Sequence, residues 1–594
     1  MKKRKIIILV FVLFLLPILF YFFSKNPHDV VSYPEILVKN AKIYTQDSIH
    51  PWAEAMLVKN GKIKYIGTNN EAKKQSSSKA KVINAKNKLI LPAFIDSHTH
   101  PGLVSWFSDK IIGIPEGTIE EKLQWLKKYA EENPDVPYII AGSWNWYDFG
   151  KEGPNKRDID AVVKDIPVIL LEGIGHSLWV NSKTLEVLGV DKNTKEGVED
   201  LSFYYKDENG ELTGWIKEFV AYPKMIELLK AKESKNVDLV LEMFLNHLSS
   251  QGITTIFDAG NMTLNDETYS RVAKLDKKGK LPMRYEASYH IVIPEQVKKA
   301  VPEIKRLRQK YQTENLRFNT VKIHFDGIIQ IRTAAIKEPY RDDLDNHGNT
   351  LLNEEELTSF LKDLNKENIN LHLHTIGDQA IHIAINSYEN LVNSLENKES
   401  LKTKLTISHL EYIDPDDVSR IKKLGIIANF TPQWFGYPQH YLAHMIGERA
   451  EHRMEAKTLM DSGADVTFSS DVISPLEYLR SSPLLGIQVG HNRQNIYGGK
   501  EAPITLPIKE RLSIEELIKG YTINGAKQLE LNERIGSLEV GKEADFIILD
   551  KNIFETDRYD IYNTKVEKTF KNGKEVYRRN FKAIVNDFFL SLIL

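Results

Sequence analysis

Apolar and polar positions alternate with a period of two near both ends of the chain. Residues 34–91 carry short alternating runs, Ile36 to Tyr44, Ala55 to Val58 and Ile63 to Gly67, with Asn60-Gly61 between two of them. Asn-Gly flanked by apolar runs predicts a tight hairpin, because both turn residues tolerate positive φ. The pattern returns at Asp545 to Asp550, Val566 to Phe570 and Val576-Tyr577, with Asn572-Gly573 as the turn. Two β segments from opposite ends predict one small β domain assembled from residues 34–91 and 534–582.

Between them, over residues 92–533, apolar strand-like runs alternate with amphipathic helical stretches. The runs include Tyr138 to Gly142, Val168 to Leu171, Thr254 to Phe257, Val321 to Phe325, Asn370 to His374, Leu405 to His409, Ile426 to Asn429 and Val466 to Phe468. The helical stretches include Glu120 to Glu131, Val237 to Gln251, Glu354 to Glu367 and Pro415 to Leu424. Such alternation predicts an α/β barrel rather than a sandwich for the centre of the chain. Strand-rich residues 198–216, with Asn209-Gly210 as a turn, interrupt the alternation and predict an insertion over about 150–220.

The first segment breaks both periods. A basic flank, residues 1–5, precedes eighteen apolar residues from Ile6 to Phe23. As a helix these span about 27 Å, close to a bilayer core of about 30 Å. The preceding Lys/Arg cluster predicts an inside N-terminus and an extracytoplasmic bulk. Phe22-Phe23-Ser24-Lys25 lacks the small-x-small cleavage pattern, so a retained single-pass signal-anchor in the cell membrane is preferred over a cleaved signal peptide. The apolar run from Phe588 to Leu594 is too short to span, and residues 583–594 read as a tail.

Composition narrows the chemistry. Among 594 residues, Lys plus Arg is 79 and Asp plus Glu is 81, giving a net charge of −2, with no basic footprint for nucleic acid. There is no cysteine. Disulfides, thiolate metal sites and a Cys nucleophile are excluded, so a metal site would be built from His, Asp, Glu or a modified Lys.

Candidate ligands stand at strand ends. In Leu91-Pro-Ala-Phe-Ile-Asp-Ser-His98-Thr-His100, residues two apart share a strand face, so His98 and His100 project two imidazoles into one cavity. In Val321-Lys-Ile-His-Phe-Asp-Gly327, Lys322, His324 and Asp326 share a face. Lys322 either forms a salt bridge with Asp326 or is carbamylated, because a free ammonium has no acceptor for a cation. His372 and His374 lie opposite Leu371 and Leu373, with His374 nearer the C-terminal end of the strand, where barrel sites are built. His409 and Asp471 end two later runs.

With these phrases stand Gly175-His-Ser-Leu-Trp-Val-Asn-Ser182, Gly210-Glu-Leu-Thr-Gly214 with Glu218 downstream, His374-Thr-Ile-Gly-Asp378, Tyr521-Thr-Ile-Asn524 and Ile535-Gly-Ser-Leu-Glu-Val-Gly-Lys-Glu-Ala-Asp545. Together they make residues 34–580 resemble the amidohydrolase superfamily, specifically its YtcJ-like branch. The resemblance implies a (β/α)8 TIM barrel flanked by a small β-sandwich domain from both chain ends. It implies His98 and His100 as metal ligands of the first strand, Lys322 as a carbamate bridge formed with CO2, His374 and His409 as ligands of the fifth and sixth strands, and Asp471 as the strand-eight acid. His324, where such proteins often carry an apolar residue, and the added imidazole of His372 depart from the pattern.

The implied activity is metal-assisted hydrolysis of a C–N bond in a small molecule: an amide, a formamide or a cyclic amide. Asp471 would take the proton of the attacking water and pass it to the leaving group. His176 reads either as a substrate contact or as a structural residue of a Gly-flanked turn. Zinc suits a His and carboxylate set, with manganese or iron as alternatives, as one ion or two. Trp106, Trp144, Trp146, Tyr147, Trp434 and Phe435 are candidate pocket walls. Esterase or deaminase chemistry on the same scaffold, and a catalytically inactive membrane-tethered binding protein, are the alternatives. A metal-free couple of Asp471 with Asp326 or Glu218 is weaker still, and no Gly-x-Ser-x-Gly elbow marks a serine hydrolase. A homo-oligomer is compatible with all of these readings.

Overall fold

The computed structural model describes residues 31–585 except 233–234, 439 and 582–583. The expected membrane segment 6–23 and the run 588–594 lie outside the described residues. Among the described residues, no helix is long and apolar enough to cross a membrane.

Eight parallel strands form one sheet in sequence order: β1 (Phe94–Thr99), β2 (Ile253–Asp258), β3 (Arg284–Ile291), β4 (Leu316–His324), β5 (Asn370–Thr375), β6 (Leu405–His409), β7 (Ile427–Phe430) and β8 (Val466–Phe468). The loop after β8 returns to β1, where Asp471 N–H donates to the His98 carbonyl at 2.9 Å and His100 N–H to that of Val472 at 3.0 Å. Helices such as Val237–Ser250, Ala300–Tyr311, Glu354–Glu367 and Asp378–Asn393 pack outside. Strand parity explains the packing. Val321, Ile323, Leu371 and Leu373 are fully buried in the main apolar core, while the residues between them turn into the barrel.

Two further sheets are assembled from both chain ends. A seven-stranded sheet joins residues 31–92 to 546–578, and a four-stranded sheet, 35–84, covers it. Asn60 and Gly61 have φ of 50° and 77°, and Asn572 and Gly573 have 48° and 69°, so both Asn-Gly pairs form the predicted turns. The two tips interlock. Ala544 donates to the Gly61 carbonyl at 2.8 Å, Gly573 donates to that of Ala544 at 3.0 Å, and a Cβ on Gly573 would stand 2.9 Å from the Cα of Gly61. Arg284 at the start of β3 ties barrel to sandwich through Asp545, at 2.5 Å, and Glu543.

The insertion differs from expectation in extent. Six strands between Ile111 and Lys217 form a separate sheet after β1, so the inserted region begins well before residue 150. Tyr138 to Gly142 and Val168 to Leu171, read above together with the barrel runs, belong to it. The cause is physical: parallel strands buried on both faces look alike in sequence whichever sheet they join. Phe203–Lys206 and Leu212–Lys217 are the expected antiparallel pair around Asn209-Gly210.

Candidate metal centre

The inward residues converge at the C-terminal ends of the barrel strands. His98 and His100 approach one carboxylate oxygen of Asp471, Nε2 to Oδ1, at 3.4 and 3.3 Å, and His409 Nδ1 lies 4.0 Å from the other oxygen. The rings of His98 and His409 are 5.1 Å apart, and those of His374 and His409 are 4.5 Å apart. Lys322 lies in the same space, fully buried, with its Nζ donating to Ser408 Oγ at 3.3 Å.

The surroundings fix ring orientation. His100 Nδ1–H donates to the Gly260 carbonyl at 2.5 Å, leaving Nε2 toward Asp471. His98 Nδ1 pairs with His372 Nε2 at 3.0 Å. Asp96 accepts from the backbone N–H and the hydroxyl of Ser470, at 3.0 and 2.6 Å, and so anchors the loop that carries Asp471. His409 and Asp471 hold left-handed backbone, φ 77° and 48°, as does Glu218 at 53°. Non-glycine residues in that region cost on the order of 1–3 kcal/mol and concentrate at functional sites.

Electrostatics favour neutral nitrogen donors around one anion. Burial pushes the imidazoles of His98 and His374 well below the ordinary histidine range, and that of His409 down to about 3. Burial also pulls the Lys322 amine down to about 7. Burial acts to raise the Asp471 carboxyl, but the His100 hydrogen bond and the nearby His409 outweigh it and hold Asp471 below the usual carboxylate range.

These donors fit a divalent cation. His374 Nε2 and His409 Nδ1 are buried without any hydrogen-bond partner, a costly state for a polar atom. The lone pairs of His98, His100 and Asp471 also converge within 4.8 Å of one another. Either a proton or a cation must lie between them. Imidazole and carboxylate without thiolate suit zinc, manganese or iron.

Comparison with known proteins agrees with this geometry. The family model described as "Amidohydrolase family" matches residues 81–577. The chain belongs to the amidohydrolase family. It is 26% identical over 554 residues to YtcJ of Bacillus subtilis, covering 91% of this chain and 98% of that one. It is 23% identical over 563 residues to the N-substituted formamide deformylase of Arthrobacter pascens, covering 92% and 98%. A crystal structure of an uncharacterized metal-dependent hydrolase from Pyrococcus horikoshii superposes with a TM-score of 0.65 at 24% identity, over 88% of this chain and 99% of that one. That likeness concerns the fold.

In this amidohydrolase, His98, His100, Lys322, His374, His409 and Asp471 lie together, and His176 reaches them from the inserted sheet, its ring 5.4 Å from that of His374. The Lys322–Asp326 salt bridge is not formed. Asp326 instead accepts the backbone N–H groups of Ala335, Ile376 and Gly377, at 2.9–3.1 Å, and holds the loops after β4 and β5. Of the candidate aromatic walls, Trp434 stacks on His409 with 5.5 Å between centroids. Trp144 and Phe435 are core residues, and Tyr147 is largely exposed. Asp96 and His290 were not anticipated. His290 is buried on β3 with Nε2 unpartnered, in a run, Arg284–Ile291, where Tyr285, Ala287, Tyr289 and Ile291 alternate with polar residues, and that alternation was the available signal.

Proposed function

We propose that this chain hydrolyses a non-peptide C–N bond of a small molecule, an amide, formamide or cyclic amide, at a divalent metal centre of His98, His100, Lys322, His374, His409 and Asp471. The observation that carries this is the set of buried, unpartnered imidazole nitrogens facing the space beside the His98–His100–Asp471 cluster. The named activity of the Arthrobacter relative supports the C–N class.

When bound, the metal supplies a Lewis acid that polarises a carbonyl and lowers the pKa of water. The neutral imidazoles donate lone pairs without adding charge. Lys322, present in part as neutral amine, is suited to add to CO2 through its nitrogen with loss of one N–H proton to solvent, and the carbamate oxygens would make it an anionic donor. Asp471, held ionised, takes the proton of the attacking water and returns it to the leaving nitrogen. His176, whose Nδ1 pairs with Glu218 Oε2 at 2.6 Å, faces the same space and contacts the substrate. Residues 6–23 support a single-pass anchor with the catalytic domain outside the cytoplasm.

The test is elemental analysis of the full-length protein purified without chelator, together with an amide, formamide and ester panel assayed with and without chelator. Metal-dependent turnover of an amide or formamide is expected. Turnover of esters alone would replace the C–N assignment. A protein that takes up no metal, even with zinc and bicarbonate supplied, would overturn the proposal.

A further inference from the structure

A second group of imidazoles stands apart from the His98–His100–Asp471 cluster. One ring nitrogen each from His176, His324 and His374 lies within 4.8 Å of the others. His176 directly precedes the inserted strand Ser177–Val180, His324 closes β4, and His374 lies in β5, so three separate parts of the fold bring them to one place. Both ring nitrogens of His324 and Nε2 of His374 are buried without a hydrogen-bond partner.

The supports around them are those of donors rather than packing residues. His176 Nδ1–H donates to Glu218, whose other oxygen accepts from Thr333 Oγ1 at 2.6 Å. A carboxylate behind an imidazole fixes the tautomer and presents Nε2 as a lone pair, the common arrangement behind metal-binding histidines. Gly327 gives that carboxylate its room, since a Cβ there would stand 2.4 Å from Glu218 Oε1. His324 is held between His374 and Phe219, at 4.0 Å from each ring. Tetrahedral bonds near 2.1 Å place nitrogens about 3.4 Å apart, so modest side-chain rotation closes the set on a cation.

We propose that His176 and His324 join His374 to form a tri-imidazole site that holds a second divalent cation, outside the position bounded by His98, His100 and Asp471. This rests on the metal-centre reading above and deepens it: His176 then meets the substrate through an ion rather than directly. Three imidazoles without a thiolate select zinc or another borderline cation over calcium or magnesium.

The test is Co²⁺ and Zn²⁺ titration of metal-free full-length protein against a competing chelator, for the parent, His324→Leu, His324→Gln, His176→Leu and His98→Ala. The parent is expected to take up two ions. Both His324 variants and His176→Leu should keep one ion at parental affinity and lose the other, whereas a weakening of only about 10–100-fold would make these residues supports of a ligand and overturn the site. His98→Ala should weaken the other step. Metal-free His324→Leu should melt no lower than the metal-free parent, because it removes two unpartnered nitrogens, but should gain less on zinc addition. Two ions at unchanged affinity in the His324 and His176 variants would overturn the tri-imidazole site and leave the metal centre standing. A parent that binds a single ion, lost only in His98→Ala, would do the same. A parent that binds none would fail both.

Discussion

His372→Leu separates a ligand from a residue that orients one. When His98 donates Nε2 to a cation, its proton must sit on Nδ1, and the partner of that N–H is His372 Nε2 at 3.0 Å. Leucine removes the acceptor and leaves a buried donor unpaired, at a cost of about 1–3 kcal/mol. The metal-free protein can avoid that cost, because His98 can move its proton to Nε2 and donate toward Asp471 Oδ1, 3.4 Å away. The penalty therefore falls on the loaded state alone and appears as lost affinity. At 1.4 kcal/mol per tenfold it amounts to roughly 5- to 150-fold, bracketing the roughly 10–100-fold typical of residues behind a ligand.

The assay is zinc competition against a chromophoric chelator, with stoichiometry and affinity read separately. The expected result is an unchanged number of ions, with one step about 10–100-fold weaker. Leucine fills much of the imidazole volume against Phe257, whose ring centroid is 4.9 Å from that of His372, so the metal-free variant should lose no more than about 1.5 kcal/mol of stability. Loss of a whole ion would make His372 a ligand in its own right. A binding curve superposable on the parent's would show that the His98–His372 pair has no energetic role, and either result refutes the reasoning.

Asp471→Asn should retain metal yet lower turnover about 10²–10⁴-fold, since the imidazoles remain while the proton carrier is gone; parental turnover would remove Asp471 from proton transfer. Lys322→Ala should lose an ion, or most of its affinity, with formate or acetate restoring part of it, and a parental metal content would refute the carbamate. Arg284→Met should cost about 3–5 kcal/mol in chemical denaturation, because it strands the buried Asp545 and Glu543 carboxylates at the barrel–sandwich junction, while metal content stays parental. Lys217 is buried over the Trp215 ring at 4.3 Å, and burial pulls its amine from 10.5 down to about 8. Between these values the unfolded chain binds more protons than the folded one, so stability rises with pH, by on the order of 3 kcal/mol in all. Denaturation at pH 7.5 and 10.5 should show a rise smaller by about that amount in Lys217→Met than in the parent, where the buried Lys571 and Lys322 amines also contribute.

Strand parity made much of this site legible. His98 and His100, Lys322 and His324, and His372 and His374 are each two residues apart, and each pair does face the barrel interior. Parity fails where the strand stops. β4 ends at His324, so Asp326 turns away to the amides of Ala335, Ile376 and Gly377 instead of pairing with Lys322. Parity is also silent about depth, which is set by register between strands far apart in sequence. Lys322 pairs in register with His372, and His324 with His374. His372 therefore lies one layer further in, beneath His98, while His374 reaches the mouth beside His176. Two imidazoles on one strand face are thus given different chemistry by depth, which their order along the strand indicates and the register with neighbouring strands fixes. The same holds for His176, which the separate sheet of residues 111–217 brings back to the barrel mouth beside His374. What the sequence specified was the face of each strand, and the tertiary register then decided which histidines can meet a cation and which can only hold another in place.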